Sequence, residues 1–248
     1  MSIFDDLNYE SFRELAKNTS LSKYEKIGFP DNYRSDFEKK ILTDVCVKLP
    51  ALLQTASVVL DIGCGCSDLP HLLAEQSLRL NQQLIFVDSE EMLGLLKVAS
   101  SPKVIKYASK YPHCKELLDD LHGRVNAILV YSVIQYVFSE GNIFDFLDKS
   151  LELLASGGRM LIGDIPNISM RKRFFASESG IRHHQEFTST QEIPCVSFNS
   201  IEVNQIDDSI VIAVLSRARA AGFHAYVLPQ GGDLPMANRR EDILVIRP

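Results

Sequence analysis

The run Val58-Val-Leu-Asp-Ile-Gly-Cys-Gly-Cys-Ser-Asp-Leu-Pro70 takes an apolar, β-branched strand directly into two closely spaced glycines and then into a helix start. A strand, a glycine turn and a helix in that order open a βαβ unit. In a doubly wound sheet this first turn lies at the switch point, where Gly63 and Gly65 offer a ligand backbone with no Cβ in the way. The rest of the chain keeps the alternation. Strand patterns fall at 58–62, 84–88, 103–107, 127–131, 159–164, 224–228 and 243–246, with helix-period stretches at 68–76, 90–99, 115–122, 142–154 and 209–221. Asp207 and Asp208 precede the last helix and Gly222 follows it, as end signals should. The pattern predicts an α/β fold built on a seven-stranded, mostly parallel sheet with helices on both faces.

Two stretches break the alternation. Residues 1–55 are polar and dotted with aromatics (Tyr9, Phe12, Tyr24, Phe29, Tyr33) before a helix-period run from about 35 to 49, which predicts an N-terminal helical cap ahead of a main domain over 56–248. Residues from about 165 to 204 are rich in Arg, His, Ser and Phe and too long for an ordinary connection, so they read as an insertion in that domain.

Charge and cysteine usage narrow the function classes. The 26 basic and 32 acidic residues give a net charge of −6, which argues against a chain held on nucleic acid by phosphate neutralisation. No apolar run has the length of a membrane span, and the first residues are acidic rather than leader-like, so the expectation is a cytoplasmic protein that acts away from membranes. Cys46, Cys64, Cys66, Cys114 and Cys195 form no C-x-x-C pair, and neither a disulfide framework nor a metal site is expected.

Asp88 ends the second strand pattern about twenty residues beyond the glycine turn, the place for an acid that accepts both hydroxyls of an adenosine ribose. A dinucleotide fingerprint would put Gly or Ala at position 68, where this chain has Asp68; Asp61 also stands just before the turn. Two carboxylates there disfavour a pyrophosphate and favour a cationic ligand such as the sulfonium amino acid S-adenosylmethionine (SAM).

Leu60-Asp-Ile-Gly-Cys-Gly resembles motif I of the class I SAM-dependent methyltransferases, and Phe86-Val-Asp-Ser-Glu-Glu-Met-Leu93 resembles their motif II. Asn126-Ala-Ile-Leu-Val-Tyr-Ser-Val-Ile-Gln-Tyr-Val137 is similar to the fourth-strand motif, and Leu153-Leu-Ala-Ser-Gly-Gly-Arg-Met-Leu-Ile162 to the turn before strand five. The resemblance implies a Rossmann-like sheet of order 3-2-1-4-5-7-6 with strand seven antiparallel, and makes 56–248 a SAM-binding methyltransferase domain with S-adenosylhomocysteine (SAH) as product. It places Asp61, Gly63, Cys64 and Gly65 along the methionine part, Asp88 on the ribose, Ser89 or Met92 at the adenine, and Tyr131 and Ser132 facing the transferred methyl. Ser67 stands where a third small residue is usually Gly, and Tyr107-Ala-Ser109 lacks the acid common after strand three.

The acceptor side falls to the regions left over. Asp164 at the end of strand five, His183 and His184 in the insertion, and Tyr131 are the candidates for catalysis, an imidazole being suited to act as a base near neutral pH. Arg171 and Arg173, in Arg171-Lys-Arg173, suit a phosphate or carboxylate on the substrate; Tyr24 and Tyr33 are candidates to close over the cofactor, with Phe29 between them. Arg239, with Asn238 and Arg240, is a further candidate for substrate or subunit contacts, which leaves a homodimer open. The plainer roles for these residues are a solvated loop, a turn cap at Pro166 and a stabilising cap. The segments after Gly163 and Leu228 are similar to bacterial methyltransferases of surface-polysaccharide clusters, which implies a small polar acceptor such as a sugar or nucleotide-linked sugar. A catalytically silent SAM-fold binding module and an NAD(P)-dependent oxidoreductase stay as alternatives.

Overall fold

The computed structural model describes residues 7–200 and 202–248; the acidic start of the chain falls largely outside them. Three short helices come first. α1 (Tyr9–Lys17) is capped by Asn8, whose side chain accepts from the Ser11 amide at 2.8 Å. α2 (Lys23–Lys26) starts on a Ser22/Glu25 capping box, and α3 (Asp31–Arg34) follows Pro30. The next helix, α4 (Glu38–Lys48), buries Ile41 and Val45 in the main core together with Leu49 and Leu52. The N-terminal segment therefore divides, with α1–α3 as an outer layer and α4 as part of the sheet's own packing.

The remaining elements alternate as β1 (Val58–Ile62), α5 (Asp68–Arg79), β2 (Gln83–Asp88), α6 (Glu90–Leu95), β3 (Val104–Ala108), α7 (Lys115–Leu121) and β4 (Val125–Tyr131). They continue through α8 (Ile134–Glu140), α9 (Ile143–Leu153), β5 (Leu154–Pro166), α10 (Ile168–Phe175), α11 (Glu178–Thr188), α12 (Asp208–Ala220), β6 (His224–Pro229) and β7 (Arg240–Ile246). The seven strands form one sheet of order β3-β2-β1-β4-β5-β7-β6, parallel except for β7, which runs against both β5 and β6.

Side-chain alternation along the strands builds two cores. Ile128 and Val130 of β4 pack with α7, α9 and α12 on one face, while Ala127, Leu129 and Tyr131 pack with α4, α5 and α6 on the other. No helix among the described residues is long and apolar enough to cross a membrane.

Three local outcomes differ from the sequence expectation. α6 stops at Leu95 rather than running to 99, because the Lys106 ammonium caps its end by donating to the Leu93 and Leu96 carbonyls. The insertion is helical at first: Asn167 and Ser177 cap α10 and α11, and the chain then runs irregularly to α12. β5 is longer than expected and its pairing with β7 shifts between Ile162 and Ile165, where Asp164 takes a left-handed φ of +60°. The Asp164 amide, displaced from the ladder, donates instead to Asp242 Oδ1 at 2.8 Å.

Candidate active site

At the carboxyl ends of β1, β2 and β4 the glycine turn closes against its neighbours. Gly63 (φ +72°) and Gly65 (φ +64°) are left-handed; a Cβ on Gly63 would sit 2.6 Å from Val133, and one on Gly65 would sit 2.7 Å from Ile27. Asp88 holds the turn in place. Its Oδ2 accepts from the Gly65 amide at 2.8 Å and its Oδ1 from the Ser89 amide at 2.7 Å, which leaves lone pairs on both oxygens for a further donor. Asp61 is 3% exposed, and no hydrogen bond to its carboxylate is found among the described residues. Burial, together with the neighbouring Asp88 charge, pushes its pKa up to about 8. Burial raises Asp88 to about 6, against its two amide hydrogen bonds.

These groups line a cavity of about 280 Å³. Its far wall comes from Ser109 to His113 after β3 and from Tyr136 of α8, and its roof is Tyr9, Phe12 and Phe29 of the outer layer. That roof is fastened at several points. Phe12 meets Tyr136 edge-on with centroids 4.8 Å apart, the Tyr9 amide donates to Glu140 at 2.8 Å, and Arg13 pairs with both oxygens of Glu91 at 2.8 and 2.9 Å. Lys23 and Tyr24 meet Asp68 at 2.6 and 3.0 Å.

Beyond Tyr131 the cavity ends on a buried polar cluster. Arg34 of α3 donates to the Ser132 hydroxyl at 2.7 Å, and that hydroxyl donates to Asp164. Arg240 lies 3.1 Å from Asp164 Oδ2, Gln230 donates to Asp242 at 3.1 Å, and Lys48 pairs with Asp242 at 2.6 Å. The Tyr131 ring rests on Gly163, where a Cβ would approach to 2.6 Å. Burial raises the Tyr131 phenol well above its usual pKa, so it stays a neutral hydroxyl.

Of the residues singled out by sequence, Asp61, Gly63, Cys64, Gly65, Asp88, Met92, Tyr131 and Ser132 all line the cavity. Ser89 instead caps α6, its hydroxyl accepting from the Met92 amide at 3.2 Å. Tyr24 is turned to Asp68, and Tyr33 lies outside the cavity; Phe29 and the unsuspected Tyr9, Phe12 and Arg34 do the covering. Asp68 faces outward. Burial alone would raise its pKa, but the hydrogen bonds from Lys23 and Tyr24 hold it below the usual value, so it does not confront a ligand as the sequence argument assumed.

Asp164 adjoins the cavity but is engaged by Arg240 and Ser132, which leaves it poorly placed to take a proton. His183 and His184 sit on α11 among Phe174, Phe175 and Phe187, away from the cavity, and are not placed to act as a base there. Arg173 pairs with Asp208 at 2.5 Å, whereas Arg171 and Arg239 both lie over the Phe175 ring. Arg34 stands among other basic residues of the cap, Lys23 and Lys26 included, and nothing local marks it as the one that is buried.

No protein-family model matches the sequence, and no curated protein matches it either. Solved structures do. The chain is similar to the N-methyltransferase NodS from Bradyrhizobium japonicum in complex with SAH, at 13% identity and a TM-score of 0.56 over 96% of this chain and 97% of that one. The plantazolicin methyltransferase BpumL, in complex with a triazolic desmethylPZN analog and SAH, aligns at 13% identity and a TM-score of 0.58 over 96% and 99%. A protein from Listeria monocytogenes described as S-adenosylmethionine dependent aligns at 20% identity and a TM-score of 0.55 over 88% and 99%. With the strand order and the antiparallel β7, these likenesses show that the chain has the fold of the class I SAM-dependent methyltransferases.

Proposed function

We propose that this chain is a SAM-dependent methyltransferase acting on a small polar acceptor. The observation that carries it is Asp88: pinned by the Gly65 and Ser89 amides, it keeps free lone pairs toward the cavity beside Asp61, which has no cation among its described neighbours. That donor set fits a ribose diol next to a positively charged amino acid. Asp61, beside the glycine turn, would repel a pyrophosphate there and so disfavours a nicotinamide cofactor, whereas a ribose-binding acid such as Asp88 suits either.

When bound, SAM supplies an electrophilic methyl on a sulfonium. The chain's own part is alignment and exclusion of water. Gly63 and Gly65 let the ligand lie against the backbone, Asp61 and Asp88 orient its polar ends, and Tyr9, Phe12 and Phe29 shut the roof. Tyr131 and Ser132 face the acceptor's end, with Arg34 behind them. Asp164, engaged by the Ser132 hydroxyl and by Arg240, positions these groups at the acceptor's end. A sugar or nucleotide-linked sugar is the acceptor we put first, supported by the polar cluster beyond Tyr131.

Calorimetric titration of the folded protein with SAM and SAH, with NADH and NADPH alongside, tests the proposal. Micromolar binding of both sulfur ligands and none of the nicotinamides is expected. Failure of the sulfur ligands on folded protein would leave the fold as a binding module without methyl transfer.

A further inference from the structure

Two aromatic rings each collect a pair of guanidiniums between α10 and the cavity. Arg171 and Arg239 lie over Phe175 at 5.6 and 5.8 Å, and Arg240 and Arg34 lie over Phe29 at 5.8 and 4.4 Å. Phe29 also lines the cavity roof, so the row of arginines runs from the surface to the acceptor's end of the site.

Acids do not balance this row. Asp164 serves the inner pair, with Arg240 at 3.1 Å and Arg34 at 3.7 Å, and Glu241 is taken by Asn167 at 2.5 Å. Among the described residues neither Arg171 nor Arg239 makes an ion pair; the Arg171 charge reaches Glu202, but that carboxylate pairs with Lys172 at 2.9 Å, and Arg239 donates only to the Asn238 side chain at 2.9 Å. Burial and the like charges of Arg240 and Arg171, against the nearby Tyr33, pull the Arg239 pKa below its usual value, the mark of a cation without a counterion. In a chain of net charge −6 such a concentration of positive charge needs a cause.

We infer that Arg171 and Arg239, with Arg240 behind them, hold an oxyanion group, phosphoryl or carboxylate, on the methyl acceptor. Planar guanidiniums suit bidentate binding of such a group, and Phe175 gathers two of them at 5.6 and 5.8 Å from one ring. The inference rests on the methyltransferase reading, because it is that reading which makes this end of the cavity the acceptor's end. Of the sequence candidates Arg171, Arg173 and Arg239 it keeps Arg171 and Arg239 and sets aside Arg173, which pairs with Asp208.

The test uses the full chain saturated with SAH, titrated with inorganic pyrophosphate in one arm and citrate in the other. Binding of either is expected without displacement of SAH, weakened by about tenfold or more in Arg171→Gln and in Arg239→Gln. Arg217→Gln, which removes one positive charge from a distant pair with Asp148, should bind as the parent does. The arm that binds more tightly identifies phosphoryl or carboxylate as the source of the oxyanion.

Absence of binding in both arms, equal weakening in all three variants, or displacement of SAH overturns the inference while leaving methyl transfer intact. If SAH itself does not bind, the methyltransferase reading fails first, and an arginine-dependent anion would then belong to some other activity.

Discussion

Arg34 in α3 donates to the Ser132 hydroxyl at 2.7 Å, joining residues 98 positions apart and tying the outer helices to the end of β4. The guanidinium lies between two rings, 4.4 Å from Phe29 and 5.3 Å from Tyr131, with Asp164 3.7 Å away. A buried cation is costly unless its donors are met, and here hydroxyl, carboxylate and ring faces meet them together. One side chain therefore couples the placement of the outer helices to the polar cluster beyond Tyr131.

Arg34→Met should lower stability by about 3 kcal/mol in urea unfolding, because it leaves the Ser132–Asp164 pair facing apolar surface with Arg240 as the remaining cation. Arg34→Lys keeps the charge and loses the fork, so an intermediate loss is expected. Unfolding midpoints unchanged in both variants would show that the roof is held elsewhere.

The two acids of the cavity give a pH signature. Burial raises Asp88 to about 6, and burial with the Asp88 charge raises Asp61 to about 8. The folded protein thus keeps protons that the unfolded chain has released, and stability falls as pH rises from the ordinary aspartate range through about 8. A cationic ligand prefers the ionised pair, so SAM affinity should tighten between pH 6 and pH 8, as read by calorimetry. Asp88→Asn should flatten that slope and weaken binding; a slope of opposite sign, or affinity unchanged by the substitution, would contradict the assignment.

Gly65→Ala places a methyl 2.7 Å from Ile27 Cγ2 at a φ of +64°. The left-handed backbone alone costs about 1–3 kcal/mol for a residue with a Cβ. SAH affinity should drop, and cleavage of the outer helices by protease should speed up. Gly65→Ala combined with Ile27→Ala should recover the protease resistance in part, since it relieves the contact but not the strain. No recovery would place the whole effect in the turn.

The sheet was readable because each strand carries its own signal: an apolar run, then a glycine, an acid or a helix start, as at Val58–Ile62 and Gln83–Asp88. The cavity's floor followed from the same local patterns around Gly63 and Asp88. Its roof did not. Tyr9 and Phe12 look no different in sequence from Tyr24 and Tyr33, and only the packing of α1 on α6 through Arg13 and Glu91 decides which aromatics face inward. Asp68 shows the same limit from the other side, because its partners Lys23 and Tyr24 lie more than forty residues earlier. His183 and His184 carry the chemistry of a base in sequence, but their neighbours on α10 and α11 place them in an aromatic cluster instead.

The roof over the cavity also imposes an order in time. A molecule held against Asp61 and Asp88 lies behind Tyr9, Phe12 and Phe29, whose helices are fastened to the sheet by the Arg13–Glu91 and Arg34–Ser132 contacts. In the proposed methyltransferase, exchange of the product is therefore coupled to how readily α1–α3 lift from the sheet.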